Sequence, residues 1–197
     1  MKTVNIHTHR PRPDEATITT AGIHPYKAEE SFSAEELATM VHGADAVGEI
    51  GLDYACAVGR DEQQRLFEAQ LCIAEQAHLP VVLHCVRAFE PVMRTIARYR
   101  LRAVIFHGFI GSVEQMRRAV SAGYYLSFGK RTFASPKTIE ALRQIPLERL
   151  FTETDESLVP IEDINRRVAA ILGIETVRLE SIIRRNYETI FKNENNE

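Results

Sequence analysis

From Ala46 onward, short apolar and β-branched runs alternate with longer segments of helical period, and this alternation restricts the chain to architectures built on a parallel sheet. Strand-forming runs fall at Val4–His7, Thr17–Ile23, Ala46–Leu52, Val81–His84, Ala103–His107, Tyr124–Phe128 and Leu150–Thr154, about seven in all. Ser33 followed by Glu36 is a capping box, in which hydroxyl and carboxylate satisfy amides that a helix start leaves open, so a helix is predicted over Ser33–Val41. Asp61–Ala77 carries Leu66, Phe67, Leu71, Ile73 and Ala74 at helical spacing and is stopped by Leu79-Pro80. Ser112 with Gln115, and Gly123 just beyond, bound a helix over Ser112–Ala122. Pro136 opens another, and Ile161–Phe191 reads as two helices broken at Gly173, followed by a polar end from Lys192 to Glu197.

No linker, repeat or composition shift divides the chain, so residues 1–197 are expected to form one domain. A net charge of −3 excludes bulk basicity as a means of holding a polyanion, which leaves metal ions or a few placed Arg and Lys. The sequence contains no run near the roughly 18 to 20 apolar residues of a membrane span and no visible secretory leader. Cys56, Cys72 and Cys85 are odd in number and lack C-x-x-C spacing, which fits free thiols; a cytoplasmic location without membrane partners is the expectation.

Periodicity alone does not separate an open doubly wound sheet from a closed barrel. The polar residues add a second constraint. His7 and His9 end the first strand run, Glu49 and Asp53 the third, His84 the fourth, His107 the fifth and Asp155 the last. Carboxyl ends of parallel strands are where α/β active sites assemble. His7 and His9, two apart in an extended segment, point to one side and can hold one ion. Glu49 lies between Gly48 and Gly51 among apolar neighbours, where a desolvated carboxylate needs a cation. His84 and His107 close equivalent apolar runs, which favours metal binding over two unrelated core histidines. Asp155 is expected at the mouth of the site, with Glu153 below it as an orienting group. His24, in the turn Gly22-Ile23-His24-Pro25, is placed to donate a hydrogen bond to substrate, whereas His42 and His78 fit helix-terminal roles.

Together, His7-Thr8-His9, Gly22-Ile23-His24-Pro25, Gly48-Glu49-Ile50-Gly51-Leu52-Asp53, Pro80 to His84, His107-Gly108-Phe109 and Glu153-Thr154-Asp155, in this order, resemble the TatD family of metal-dependent hydrolases. The resemblance implies a TIM-type (β/α) barrel and a metal-dependent deoxyribonuclease, 3′ to 5′ exonuclease-like, with DNA as substrate. It implies that His7 and His9 bind one divalent ion, His84 and His107 a second, that Glu49 bridges them, and that Asp155 completes the site. Asp155 and Glu49 then serve a water activated by two metals, with Mg, Mn or Zn as the ion. Arg10, Arg12, Arg87, Lys130 and Arg131 lie in loops after strands as candidate phosphate contacts.

Three departures from the family pattern stand out. Asn5 replaces the usual Asp two residues before the first histidine, and Val86 replaces an Arg, with Arg87 one place later as the candidate substrate contact. Between the histidine pair and the Gly-x-His-Pro turn, one βα repeat is missing. Arg10–Ala16 spans at most roughly 23 Å, too little for a crossover helix, so a barrel shortened to about seven parallel strands is expected. A (β/α)8 barrel typically takes about 250 residues, and this chain has 197. Two other readings keep the same residues: hydrolysis of a small ester, lactone or amide, and a non-catalytic TatD-like scaffold.

Overall fold

In chain order, the computed structural model, which describes residues 2–192, contains β1 (Thr3–Val4), β2 (Glu15–Ala16), β3 (Thr20–Ala21), α1 (Ala34–Met40), β4 (Ala46–Asp53), α2 (Arg60–Gln76), β5 (Val81–Val86), α3 (Phe89–Ile96), β6 (Val104–Phe106), α4 (Val113–Ser121), β7 (Tyr125–Phe128), α5 (Pro136–Gln144), β8 (Leu150–Thr152), α6 (Ile161–Leu172) and α7 (Thr176–Phe191). Apart from Lys192, the polar end expected from Lys192 to Glu197 lies outside the described residues. Among the described residues, no helix is long and apolar enough to cross a membrane. The cysteines are unbridged, and burial pushes the Cys85 thiol up to about 12.

The backbone gathers into two compact units, one from Ile18 to Phe106 and one combining the residues up to Thr17 with those from His107 onward. In the Ile18–Phe106 unit, β3, β4, β5 and β6 pair in sequence order and all in parallel. Their apolar side chains are buried on both faces: Val47, Ile50, Leu52, Val81, Val82, Leu83 and Ile105 have no solvent exposure. That is the signature of a parallel sheet covered by helices rather than of an alternating strand. The register of β4 against β5 shifts between Val47 and Ile50, which places Glu49 in the irregularity. The glycines on either side make the close approach possible. A Cβ on Gly51, whose φ is +142°, would lie 2.0 Å from the His84 carbonyl oxygen, and one on Gly48 would lie 2.7 Å from Val82 Cβ.

In the other unit, β7 and β8 pair in parallel, α4 to α7 pack in succession, and Leu126, Phe128, Leu150, Phe151, Leu142, Val168 and Leu179 form a solvent-free core. The capping boxes expected at Ser33/Glu36 and Ser112/Gln115 are both present, and Gly173 ends α6 in the left-handed conformation at φ 67°.

All seven expected strand runs are found, and β2 is an addition. It pairs in parallel with β1, Thr3 with Glu15 and Val4 with Ala16, although only ten residues separate the two. Where a crossover helix would ordinarily stand, the chain turns through Arg10–Asp14 and returns as a two-residue strand. The helix α3 was also not foreseen. Pro91 interrupts its sequence, but it sits in the first turn, where the missing N–H has no intrahelical partner to lose.

Gly51→Ala is expected to cost on the order of 2–4 kcal/mol, because backbone meets backbone at that position. Thermal unfolding should show a melting temperature lower by on the order of 5–10 °C. Gly43→Ala, with φ +81° but nothing within 4 Å of its added Cβ, should shift it far less.

Candidate functional site

Each unit carries its own cluster of imidazoles and carboxylates at strand ends. In the Ile18–Phe106 unit, His24, Glu49 and His84 each offer a ligand atom, all within 4.8 Å of one another. The His24 and His84 rings meet edge to face at 4.3 Å, and His84 Nδ1 faces Glu49 Oε2 at 3.7 Å. The other nitrogen of His84, Nε2, lies 2.9 Å from Asp53 Oδ2. A carboxylate there selects the tautomer with the proton on Nε2, which turns the Nδ1 lone pair toward Glu49.

Asp53 is itself held in place. Tyr26 Oη donates to its Oδ2 at 3.1 Å, and the Ala55 amide donates to its Oδ1 at 2.8 Å. Burial alone would raise the Asp53 carboxyl, but the hydrogen bonds from His84, Ala55 and Tyr26 outweigh it and hold the group below the ordinary aspartate range. Two buried glutamines on one face of α2 fix the backbone at both ends of this cluster. Gln63 Oε1 accepts from the Asp53 amide at 2.7 Å while its Nε2 donates to the Asp53 carbonyl at 2.9 Å. Gln70 does the same for Ile23, beside His24, at 2.6 and 3.0 Å.

In the second unit, His7, His107 and Asp155 offer ligand atoms within 4.8 Å of one another. The His7 and His107 ring centroids are 4.5 Å apart, and Asp155 Oδ1 lies 3.9 Å from His7 Nε2 and 3.5 Å from His9 Nε2. Thr8 and Asp155 form a parallel bridge: the Asp155 amide donates to the His7 carbonyl and the His9 amide donates to the Asp155 carbonyl, each at 3.1 Å. Asp155 adopts φ 54°, in the left-handed region that aspartate tolerates better than most residues.

Below them Glu153 Oε1 faces His107 Nδ1 at 3.4 Å, the position expected of an orienting group. Burial would raise Glu153, yet the neighbouring His107 and His7 imidazoles hold it below the ordinary glutamate range. Gly108 and Gly129 leave room for it, since Cβ atoms there would come within 3.3 Å of its Oε1 and 3.2 Å of its Cγ.

Of the residues singled out in the sequence, His7, His107 and Asp155 come together in one unit, with His9 beside them, and Glu49 and His84 in the other. His24, expected to donate a hydrogen bond to substrate, joins Glu49 and His84 with a ligand atom of its own. Arg87 is exposed at φ 52° and belongs to neither cluster. The supports do not stand out in the sequence: Gln63 and Gln70 are seven apart on a helix face that otherwise looks apolar, and Tyr26 lies two residues after His24. A glutamine pair at that spacing on a core-facing stripe was the available signal.

The family model described as TatD related DNase matches residues 4–192. The chain belongs to the TatD family. A putative deoxyribonuclease TATDN1 homolog of Encephalitozoon cuniculi is 33% identical over 143 residues, 71% of this chain and 51% of that protein. The 3′-5′ ssDNA/RNA exonuclease TatD of Escherichia coli K12 is 34% identical over 146 residues, 69% of this chain and 56% of its own length. The chain thus spans about half the length of these relatives. The crystal structure of YJJV, a TatD homolog from E. coli K12, superposes with a TM-score of 0.81 at 26% identity, over 91% of this chain and 78% of that one. A TatD family hydrolase from Entamoeba histolytica, 19% identical, shares the fold with a TM-score of 0.78 over 91% and 76%. The parallel α/β fold is therefore the TIM-type fold of the TatD proteins, and both clusters have the nitrogen and oxygen donors a divalent ion requires.

With its carboxyl depressed in the native state, Asp53 contributes stability that is complete above the unfolded value of about 4 and is lost as pH falls through the lower native value. In metal-free protein, Asp53→Asn should therefore flatten the acid limb of a stability-versus-pH curve below about pH 4. The same variant should weaken Mn2+ binding by about 10- to 100-fold in calorimetric titration, because His84 loses its orienting partner.

Proposed function

We propose that this chain is a divalent-metal-dependent phosphodiesterase acting on DNA, a TatD-type deoxyribonuclease with 3′ to 5′ exonuclease character. The observation that carries the substrate class is a cavity of about 290 Å3 lined by Asp155 and Glu153 together with Lys130, Arg131 and Thr132. A carboxylate able to take a proton and two exposed cations able to hold phosphates share one pocket, with Ile110 supplying an apolar surface for a base. A lactone or amide would have no use for the paired cations.

Two divalent ions are assigned. His7, His9, His107 and Asp155 supply donors in one unit, and Glu49 and His84, with His24 beside them, in the other, so that His107, expected to share an ion with His84, is assigned here with His7 and His9 instead. Mixed imidazole and carboxylate donors suit Mn or Zn better than Mg, which prefers more oxygen. When bound, such ions acidify a water toward neutrality and offset charge on the phosphoryl oxygens. Asp155 accepts the proton from the attacking water at its carboxylate, while Lys130 and Arg131 hold the phosphates flanking the scissile bond. Glu153, facing His107 Nδ1, and Asp53, facing His84 Nε2, orient the two imidazoles that would hold such ions. Residues 1–197 are taken as one catalytic domain, and the unbridged thiols fit a reducing, cytoplasmic setting.

Labelled single-stranded DNA should be degraded from its 3′ end in the presence of Mn2+ or Zn2+ and left intact with chelator. Glu49→Ala and Asp155→Asn should each lower kcat by roughly 100-fold or more with circular dichroism unchanged. Metal-dependent turnover of lactones or carboxylic esters without cleavage of DNA would overturn the nuclease reading.

A further inference from the structure

The short turn that replaces a crossover helix delivers a carboxylate to the interior. Glu15, the first residue of β2, is only 5% exposed, and its Oε2 accepts a hydrogen bond at 2.9 Å from Nδ2 of Asn5, which has no solvent exposure. The Asn5 side chain performs three functions at once. Its Nδ2 donates to Glu15 and, at 2.9 Å, to Thr154 Oγ1; its Oδ1 accepts from the Thr154 amide at 3.0 Å. Because a backbone N–H can only donate, that last bond fixes which end of the amide is oxygen and turns the NH2 toward Glu15.

From Thr154 the chain of hydrogen bonds continues in one direction. Thr154 Oγ1 donates to Thr8 Oγ1 at 2.9 Å, and Thr8 Oγ1 in turn also accepts from the Arg10 amide at 3.1 Å. Thr8 stands between His7 and His9, and Thr154 immediately precedes Asp155. The network therefore runs directly beneath three of the residues assigned to the metal.

We propose that Asn5 and Glu15 form a matched amide–carboxylate pair that positions Thr8 and Thr154, and through them His7, His9 and Asp155, for divalent-cation binding. The proposal rests on the metal-centre reading above, and both members of the pair are positioning residues. Only an amide at position 5 can donate to a carboxylate at 15 while accepting from the Thr154 N–H. An aspartate at position 5 would bring two carboxylates to hydrogen-bonding distance with no donor between them, a buried contact that must open. A glutamine at 15 supplies the missing donor and restores the contact between residues 5 and 15 with the roles exchanged, although a carboxylate at 5 no longer donates to Thr154 Oγ1. The dependence runs one way: a carboxylate at 5 is tolerated only if residue 15 gains a donor, whereas an amide at 15 can still accept from Asn5.

The test is the exchange. Asn5→Asp, Glu15→Gln and Asn5→Asp/Glu15→Gln are compared with wild type by calorimetric titration with Mn2+ and by melting temperature without metal. Asn5→Asp is expected to lose about tenfold in Mn2+ affinity and to melt earlier. Glu15→Gln, whose amide oxygen still accepts from Asn5, should stay within about twofold, and the double variant should recover part of both losses. Equal losses in Asn5→Asp and in the double variant, or an unchanged Asn5→Asp, overturn the pair. If Asn5→Asp does not fold, Thr154→Val reads the next link: it should keep its circular dichroism and lose about tenfold in Mn2+ affinity, and unchanged affinity overturns the proposal. A wild type that takes up no Mn2+ overturns the metal-centre reading itself. That result is distinct from failure of the pairing, which the metal-free melting temperatures of the exchange set report independently.

Discussion

Each of the two clusters depends on a carboxylate behind an imidazole. His84 is turned by Asp53 and His107 faces Glu153, and in both cases the carboxylate is more deeply buried than the histidine it serves. A buried carboxylate is expensive unless its lone pairs are filled, so it dictates what surrounds it. Asp53 draws in Tyr26 and the Ala55 amide, and its backbone is clamped by Gln63. Glu153 needs the space left by Gly108 and Gly129. The glycines of the sequence motifs are thus the empty volumes into which orienting groups and neighbouring strands fit.

Two kinds of structure were legible in the sequence, for different reasons. Helix starts at Ser33 and Ser112 and the helix stop at Gly173 depend on residues within a turn of one another, so the local sequence contains the whole interaction. The polar residues that end apolar strand runs were visible because parallel sheets bury everything else in those runs, which leaves His84, His107 and Asp155 conspicuous. What could not be read is what depends on register or on distant partners. Asp53 serves His84 because Gly51 pairs with His84 across β4 and β5, and no spacing within β4 announces that. Gln63 and Gln70 look like interruptions of an apolar stripe until the backbone groups they satisfy are in view. The helix α3 was hidden by Pro91, whose cost depends on its place in the helix and not on its presence.

The shortened connection after β1 shows how a fold accommodates a lost element. A crossover helix does two jobs: it returns the chain so that the next strand runs parallel, and it covers an apolar face. The turn through Arg10–Asp14 does only the first, and only for the two residues of β2. In exchange it introduces Glu15 and with it a polar network, exchanging apolar cover for a set of directional bonds.

That network also dictates when the cluster can come into being. Asn5 bonds Thr154 across 149 positions of sequence, and Thr8 pairs with Asp155 across 147. Contacts so distant along the chain close late, after local helices and neighbouring strands have formed. On a ribosome, His7 and His9 emerge well before Asp155, which later meets them. A partly synthesised polypeptide therefore holds two histidines without their carboxylate. The cluster is therefore assembled only once the strand leading into Asp155 is in place.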